Sequence, residues 1–126
     1  MANWAKVSAD LEDRFALLGK SENMLEIEIA NGSRAQTVVV THLEGPEGSW
    51  LSMFSPICTL DEVPAEKVLI EAETALFGVW TVGNFYGLVH SMPIANLDAN
   101  ELDEPLKLIV KRADSLERKL TGRDDL

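Results

Sequence analysis

Two histidines, one cysteine and 21 acidic side chains against 11 basic ones are the groups through which this 126-residue chain could run chemistry. Cys58 follows Pro56-Ile57 at the end of an expected strand. A thiolate nucleophile needs a neighbouring base or a helix N-terminus. His42, one strand earlier, is the candidate base for it, and a buried free cysteine acting as a small hydrophobe is the alternative. His42 lies at a strand end beside Thr41 and Glu44, and His90 in Leu88-Val89-His90-Ser91; on an alternating strand one of them could face a carboxylate, and a satisfied structural histidine is the commoner case. No second ligand stands at helical spacing from either histidine. Phosphate loops, dinucleotide fingerprints, nucleophile elbows and zinc spacings are all missing from the sequence. The carboxylates come without the apolar isolation that raises a catalytic pKa, so they read as solvated faces. No catalytic residue, metal ligand or cofactor site is assigned, and the chain is expected not to be an enzyme; a small enzyme using Cys58 or His90 is the least favoured alternative.

The elements that would position these groups are clearer. Asn3 can cap a first helix over residues 4–18, with Trp4, Val7, Leu11, Phe15 and Leu18 on one face and Gly19 at the left-handed C-terminal position. Residues 24–30 alternate, with Leu25, Ile27 and Ile29 opposite Glu26 and Glu28, as a half-buried strand does. Asn31-Gly32 predicts a type I′ hairpin. The returning strand, residues 34–43, is β-branched on both faces and therefore central. A third strand over 50–57 stops near Pro56. Pro64 opens a second helix whose apolar face holds Val68, Leu69, Ala72, Ala75 and Leu76, ending at Gly78. Residues 79–82 and 85–92, joined by Gly83-Asn84, predict a type II′ hairpin.

The most regular stretch closes the chain. Leu102, Leu106, Ile109, Ala113, Leu116 and Leu120 recur at three and four residues and form one apolar stripe. The helix starts either at an Asp98 or Asn100 cap or at an Asp103 cap with Pro105 in the first turn. Early acids and late bases match its dipole, and Asp103/Lys107 and Asp114/Arg118 are spaced as i,i+4 pairs. The expected architecture is α+β, in the order α-β-β-β-α-β-β-α: an antiparallel sheet of about five strands with three helices, mostly on one face. Residues 3–121 form a single domain and 122–126 a frayed tail.

Composition bounds the function. Hydrophobic residues make up 46% of the chain, enough for a real core. A single cysteine fits a reducing compartment, and the expected location is cytoplasmic, with neither a signal peptide nor a membrane span in view. The net charge is −10; residues 44–104 hold eleven Asp/Glu against Lys67 alone, while residues 105–126 hold six Lys/Arg against four acids. Phosphate backbones would be repelled, so nucleic acid is excluded and a basic or amphipathic polypeptide segment fits better. Trp50, Met53, Phe54, Trp80, Phe85 and Tyr86 all fall on strands beside turns. Trp50 and Phe54 share one face of their strand and Leu51 and Met53 the other, so both faces need cover.

The element order and the closing segment together resemble YbjN-type proteins, which share the fold of type III secretion chaperones. The residues carrying the resemblance are Tyr86-Gly87-Leu88-Val89-His90-Ser91-Met92-Pro93-Ile94-Ala95-Asn96-Leu97-Asp98, Glu101-Leu102, Ala113-Asp114-Ser115-Leu116-Glu117 and Leu120-Thr121-Gly122-Arg123-Asp124. The resemblance implies a cytoplasmic, homodimeric, chaperone-like adaptor that holds partner segments on apolar patches without ATP or any cofactor. It implies a dimer interface on the second helix, at Val68, Leu69, Ala72 and Leu76, and partner-binding patches at Trp4, Trp50, Phe54 and Trp80. A regulatory interaction domain of a sensory or stress response, without chaperone activity, is the alternative it leaves open.

Overall fold

The computed structural model describes residues 3–95, 97 and 99–122. The chain runs α1 (Trp4–Arg14), β1 (Ala16–Ser21), β2 (Met24–Asn31), β3 (Arg34–Gly45), β4 (Gly48–Thr59), α2 (Ala65–Glu71), β5 (Gly78–Val82), β6 (Phe85–Pro93), a 3₁₀ turn (Ala99–Leu102) and α3 (Asp103–Thr121). The sheet has six strands in the order β1-β2-β3-β4-β6-β5, every neighbouring pair antiparallel. It is α+β as expected, with one strand more than the five expected.

The extra strand, β1, occupies the end of the expected first helix. Asn3 caps α1 as predicted, its Oδ1 accepting from the Lys6 amide at 2.9 Å. The helix stops at Arg14, and Phe15 turns extended at φ −127° and ψ 155°. Gly19 is not a helix cap: it pairs with Glu26 across a bulge in β1. The sequence 15–20 satisfies a helical period and an edge strand equally well. Pairing with β2 decides between them, because β2 would otherwise end the sheet with its backbone groups unpaired.

Three further details differ from expectation. The β2–β3 turn is Gly32-Ser33, not Asn31-Gly32: Asn31 pairs with Arg34, and of the turn residues only Gly32 has positive φ (+66°). That shift leaves Asn31 in the strand, where its amide donates to Asp114 on α3 at 2.8 Å. Pro56 does not stop β4; it sits beside a bulge, where sheets tolerate proline, and its carbonyl accepts from the Gln36 side chain at 2.8 Å. And α2 ends at Glu71, well before Gly78.

All three helices lie on one face of the sheet. The α3 stripe from Leu102 to Leu120 is buried throughout, packed mainly against β4 with Leu25, Ile27, Val38, Val40, Leu51, Met53 and Leu88 below it. Pro105 falls in the first turn of α3; Asp103 is its first residue, not its cap, and Asp98 lies outside the described residues. The expected i,i+4 partners are replaced by longer-range ones. Asp103 binds Arg14 at 2.6 Å, tying the end of α1 to the start of α3. Asp114, 2% exposed, binds Arg34 at 2.6 Å and holds α3 on the β2–β3 hairpin. Among the described residues no helix is long and apolar enough to cross a membrane.

The two sheet edges differ. β1 is bulged and carries Lys20, whereas β5 reads Gly-Val-Trp-Thr-Val with no charge, proline or bulge. From residue 74 to residue 97 the chain holds no Asp, Glu, Lys or Arg at all.

Candidate functional site: the open face of the sheet

The reactive side chains do not assemble. Cys58 is buried beyond the β4 bulge, opposite Tyr86, and desolvation, with the nearby Glu62 charge, pushes its thiol up to about 11. His42 pairs with Leu51, seven positions back along the same strand, which at about 3.3 Å per residue is over 20 Å away. The expected approach of His42 to Cys58 is therefore not formed. His42 instead stacks on Trp4, with ring centroids 5.6 Å apart, and its Nε2 faces Glu44 at 3.1 Å and Ser49 at 3.4 Å. The Ser49 hydroxyl donates to Glu44 at 2.6 Å, so it is turned away from the role of a nucleophile activated by His42. His90 pairs with Met53 and meets the Phe77 ring edge-on at 5.7 Å. Among the described residues no cluster of three or more His, Cys, Asp or Glu could hold a metal ion.

The face of the sheet turned away from the helices is different. Strand register sorts it into rows, because directly paired residues point the same way. One row runs Gly19–Glu26–Val39–Phe54–Val89–Gly78. A second runs Thr41–Ser52–Ser91, and a third Leu43–Trp50–Pro93. Trp80 pairs with Gly87, and Val82 with Phe85, beside the first row. Two apolar patches thus flank a stripe of hydroxyls: Trp50 with Leu43 on one side, and Phe54, Trp80, Val82 and Phe85 on the other. Trp50 is 37% exposed and Trp80 46%.

Phe54 is 5% exposed although no helix covers it. Gly87 explains this. A Cβ at Gly87 would lie 2.3 Å from Phe54 Cζ, so the ring occupies the place that a side chain there would fill. Beside it, a recess of about 230 Å³ is lined by Val39, Phe54, Pro56, Val82 and Phe85, with Thr37 and Glu26 as its polar lining. The Glu26 carboxylate leans over Gly19, where a Cβ would meet its Oε2 at 3.2 Å.

Charge on this face has one sign. Glu26 and Glu28 are its charged strand residues, and neither is ion-paired among the described residues. Both cationic strand residues, Lys20 and Arg34, take helix-side register positions, bound to Glu12 at 3.0 Å and Asp114 at 2.6 Å.

Of the four residues expected to bind a partner, Trp50, Phe54 and Trp80 share the open face, in two patches. Trp4 lies on the other face, on α1, its indole N–H donating to the Glu22 carbonyl at 2.9 Å. Of the four expected at a dimer interface, Val68 and Ala72 are buried in the protomer core, while Leu69 is exposed and Leu76 is 76% exposed. Leu76 also holds φ +70°, a backbone conformation that costs a leucine about 1–2 kcal/mol. Leu43, Val82, Glu26 and Gly87 belong to the open face and were not singled out from the sequence; strand alternation marks each one's parity, but only register shows that they converge. No protein-family model matches this chain, and no curated protein does either.

Proposed function

We propose that this chain is a non-enzymatic, dimeric, cytoplasmic adaptor of chaperone-like character, which holds polypeptide segments of a partner on the open face of its sheet. The observation that carries the reading is the pair of half-exposed tryptophans, Trp50 and Trp80, standing on a face that none of the helices covers. Apolar surface of this kind gains about 25 cal/mol per Å² when covered, before the costs of ordering a partner. The likeness to YbjN-type and type III secretion chaperone-like proteins rests on the element order and on the closing segment that begins at Tyr86. Burial of Cys58 and its raised pKa leave little thiolate at neutral pH, which favours binding over catalysis.

The dimer contact in this reading uses the outward residues of the α2 region, Leu69, Ile70 and Leu76, with Val68 and Ala72 anchoring that segment from within. Leu76 is both exposed and held at positive φ, which favours a contact outside the protomer.

Two measurements test the reading. Light scattering at micromolar concentration is expected to give twice 13.9 kDa, falling to one protomer mass in Leu69→Asp/Leu76→Asp; a wild-type monomer removes the dimer from the proposal. Peptide-library binding is expected to weaken about tenfold or more in Trp50→Ala/Trp80→Ala, with circular dichroism unchanged. Equal binding by the folded double variant overturns the assignment of this face.

A further inference from the structure

The open face specifies the kind of segment it takes. Resting on the adaptor reading above, we infer that the occupant is an amphipathic basic segment of another protein. It places an aliphatic or aromatic side chain in the recess between Phe54 and the Val82–Phe85 hairpin end, and a Lys or Arg on Glu26. Three observations converge on this.

The recess is lined mainly by apolar side chains, with Thr37 and Glu26 as its polar lining. Glu26 is half-buried without a cationic partner among the described residues, and Glu28 lies two residues along the same strand. A carboxylate that is partly desolvated and unpaired gains from an incoming cation more than a fully hydrated one does. Along the row, Glu26 and Phe54 are two strand spacings apart, about 10 Å. An anchor side chain and a lysine or arginine one helical turn further along the same stripe span that distance, because the long basic side chain extends past its own backbone.

The same charges count against a second copy of this chain as the occupant. Face-to-face association would bring two acidic faces together, with no cationic strand residue on either among the described residues to offset them. Nucleic acid is excluded by the same sign. The uncharged β5–β6 side supplies apolar area without repelling the lysines, and Glu26 and Glu28 give the face its polarity. The anchor side chain therefore lies toward β5 and the lysine or arginine that meets Glu26 toward β2.

The experiment uses fluorescein-labelled 18-residue amphipathic helical peptides with one Leu/Trp stripe. In one peptide the stripe is flanked by lysines, in the other by glutamates. Binding is read by anisotropy at low and at physiological salt. The lysine peptide is expected to bind the wild-type protein tighter than the glutamate peptide by about tenfold or more, with the gap narrowing as salt rises. Glu26→Gln/Glu28→Gln is expected to close most of that gap. The control Glu66→Gln/Glu73→Gln removes the same charge from the α2 side and is expected to change it less than about twofold. Trp80→Ala, at an exposed position that leaves the core intact, is expected to weaken both peptides alike. If the two glutamate pairs act equally, only net charge is at work and the inference is overturned while the adaptor reading stands. If both peptides bind equally and the E26Q/E28Q variant changes neither, the inference is overturned in the same way. If neither peptide binds wild type, or if Trp80→Ala has no effect on either, the adaptor reading fails along with it.

Discussion

The two faces of this one sheet are built by the same alternation and meet different fates. On β4, Leu51 and Met53 point to the helices and are fully buried, while Trp50, Ser52 and Phe54 point the other way. α3 closes the first face with a continuous stripe; the second is left to its own side chains. Charge separates them more sharply than hydrophobicity does. Cations on the helix side are paired with acids of α1 and α3, whereas Glu26 and Glu28 of the open side are in no ion pair among the described residues. An apolar strand position is therefore no evidence of core by itself. The sign and pairing of neighbouring charges tell a finished surface from an unfinished one.

The comparison breaks first if the covered face is not where stability resides. Ile109→Ala, at a fully buried α3 position, is expected to cost about 2–4 kcal/mol in urea unfolding. Arg34→Ala strips the cation from Asp114 and is expected to cost about 2–3 kcal/mol by the same measurement, because a nearly buried carboxylate is left with Asn31. On the open face, Gly87→Ala is the severe change. It drives a methyl into the Phe54 ring and to 2.7 Å from the Ser55 carbonyl, for an expected loss of about 1–3 kcal/mol. Combining it with Phe54→Ala is expected to cost less than the sum of the two single changes, since the ring clash disappears. Trp80→Ala is expected to change stability by less than about 1 kcal/mol, and a larger loss would make the open face part of the core.

The smallest effect sharpens the contrast by pH. The Cys58 thiol is raised from 9.0 to about 11 in the folded protein. The unfolded chain therefore loses this proton first, and the contribution is intact below pH 9 and lost as pH climbs toward 11. Unfolding midpoints of wild type are expected to fall faster over that window than those of Cys58→Ala.

Much of the fold was legible in the residues. The α3 stripe, the Asn3 cap, the β2 alternation and the Gly83-Asn84 hairpin follow from local periodicity and turn chemistry, and each stands where local rules put it. β1 was not legible, because Leu17-Leu18 fit a helical period and the partner that makes them a strand lies beyond a turn. The early end of α2 was hidden for a related reason: Ala72 and Ala75 are buried at helical spacing although the backbone between them is no longer helix. The candidate site was half legible. Trp50 and Phe54 share a strand, so their common face follows from parity. Trp80 joins them only through the β4–β6–β5 register, and the glycine that admits Phe54 carries no side chain to announce it. Trp4 stands apart from the other three, because α1 lies on the other face of the sheet and its ring stacks on His42.

The plain edge of β5 has a practical consequence. Heating or concentrating the protein loosens contacts everywhere, but a neutral, unkinked ribbon with free amides is the seam along which loosened molecules zip together. One lysine at Thr81 would blunt that seam, so T81K is the substitution that keeps stocks clear without touching either tryptophan.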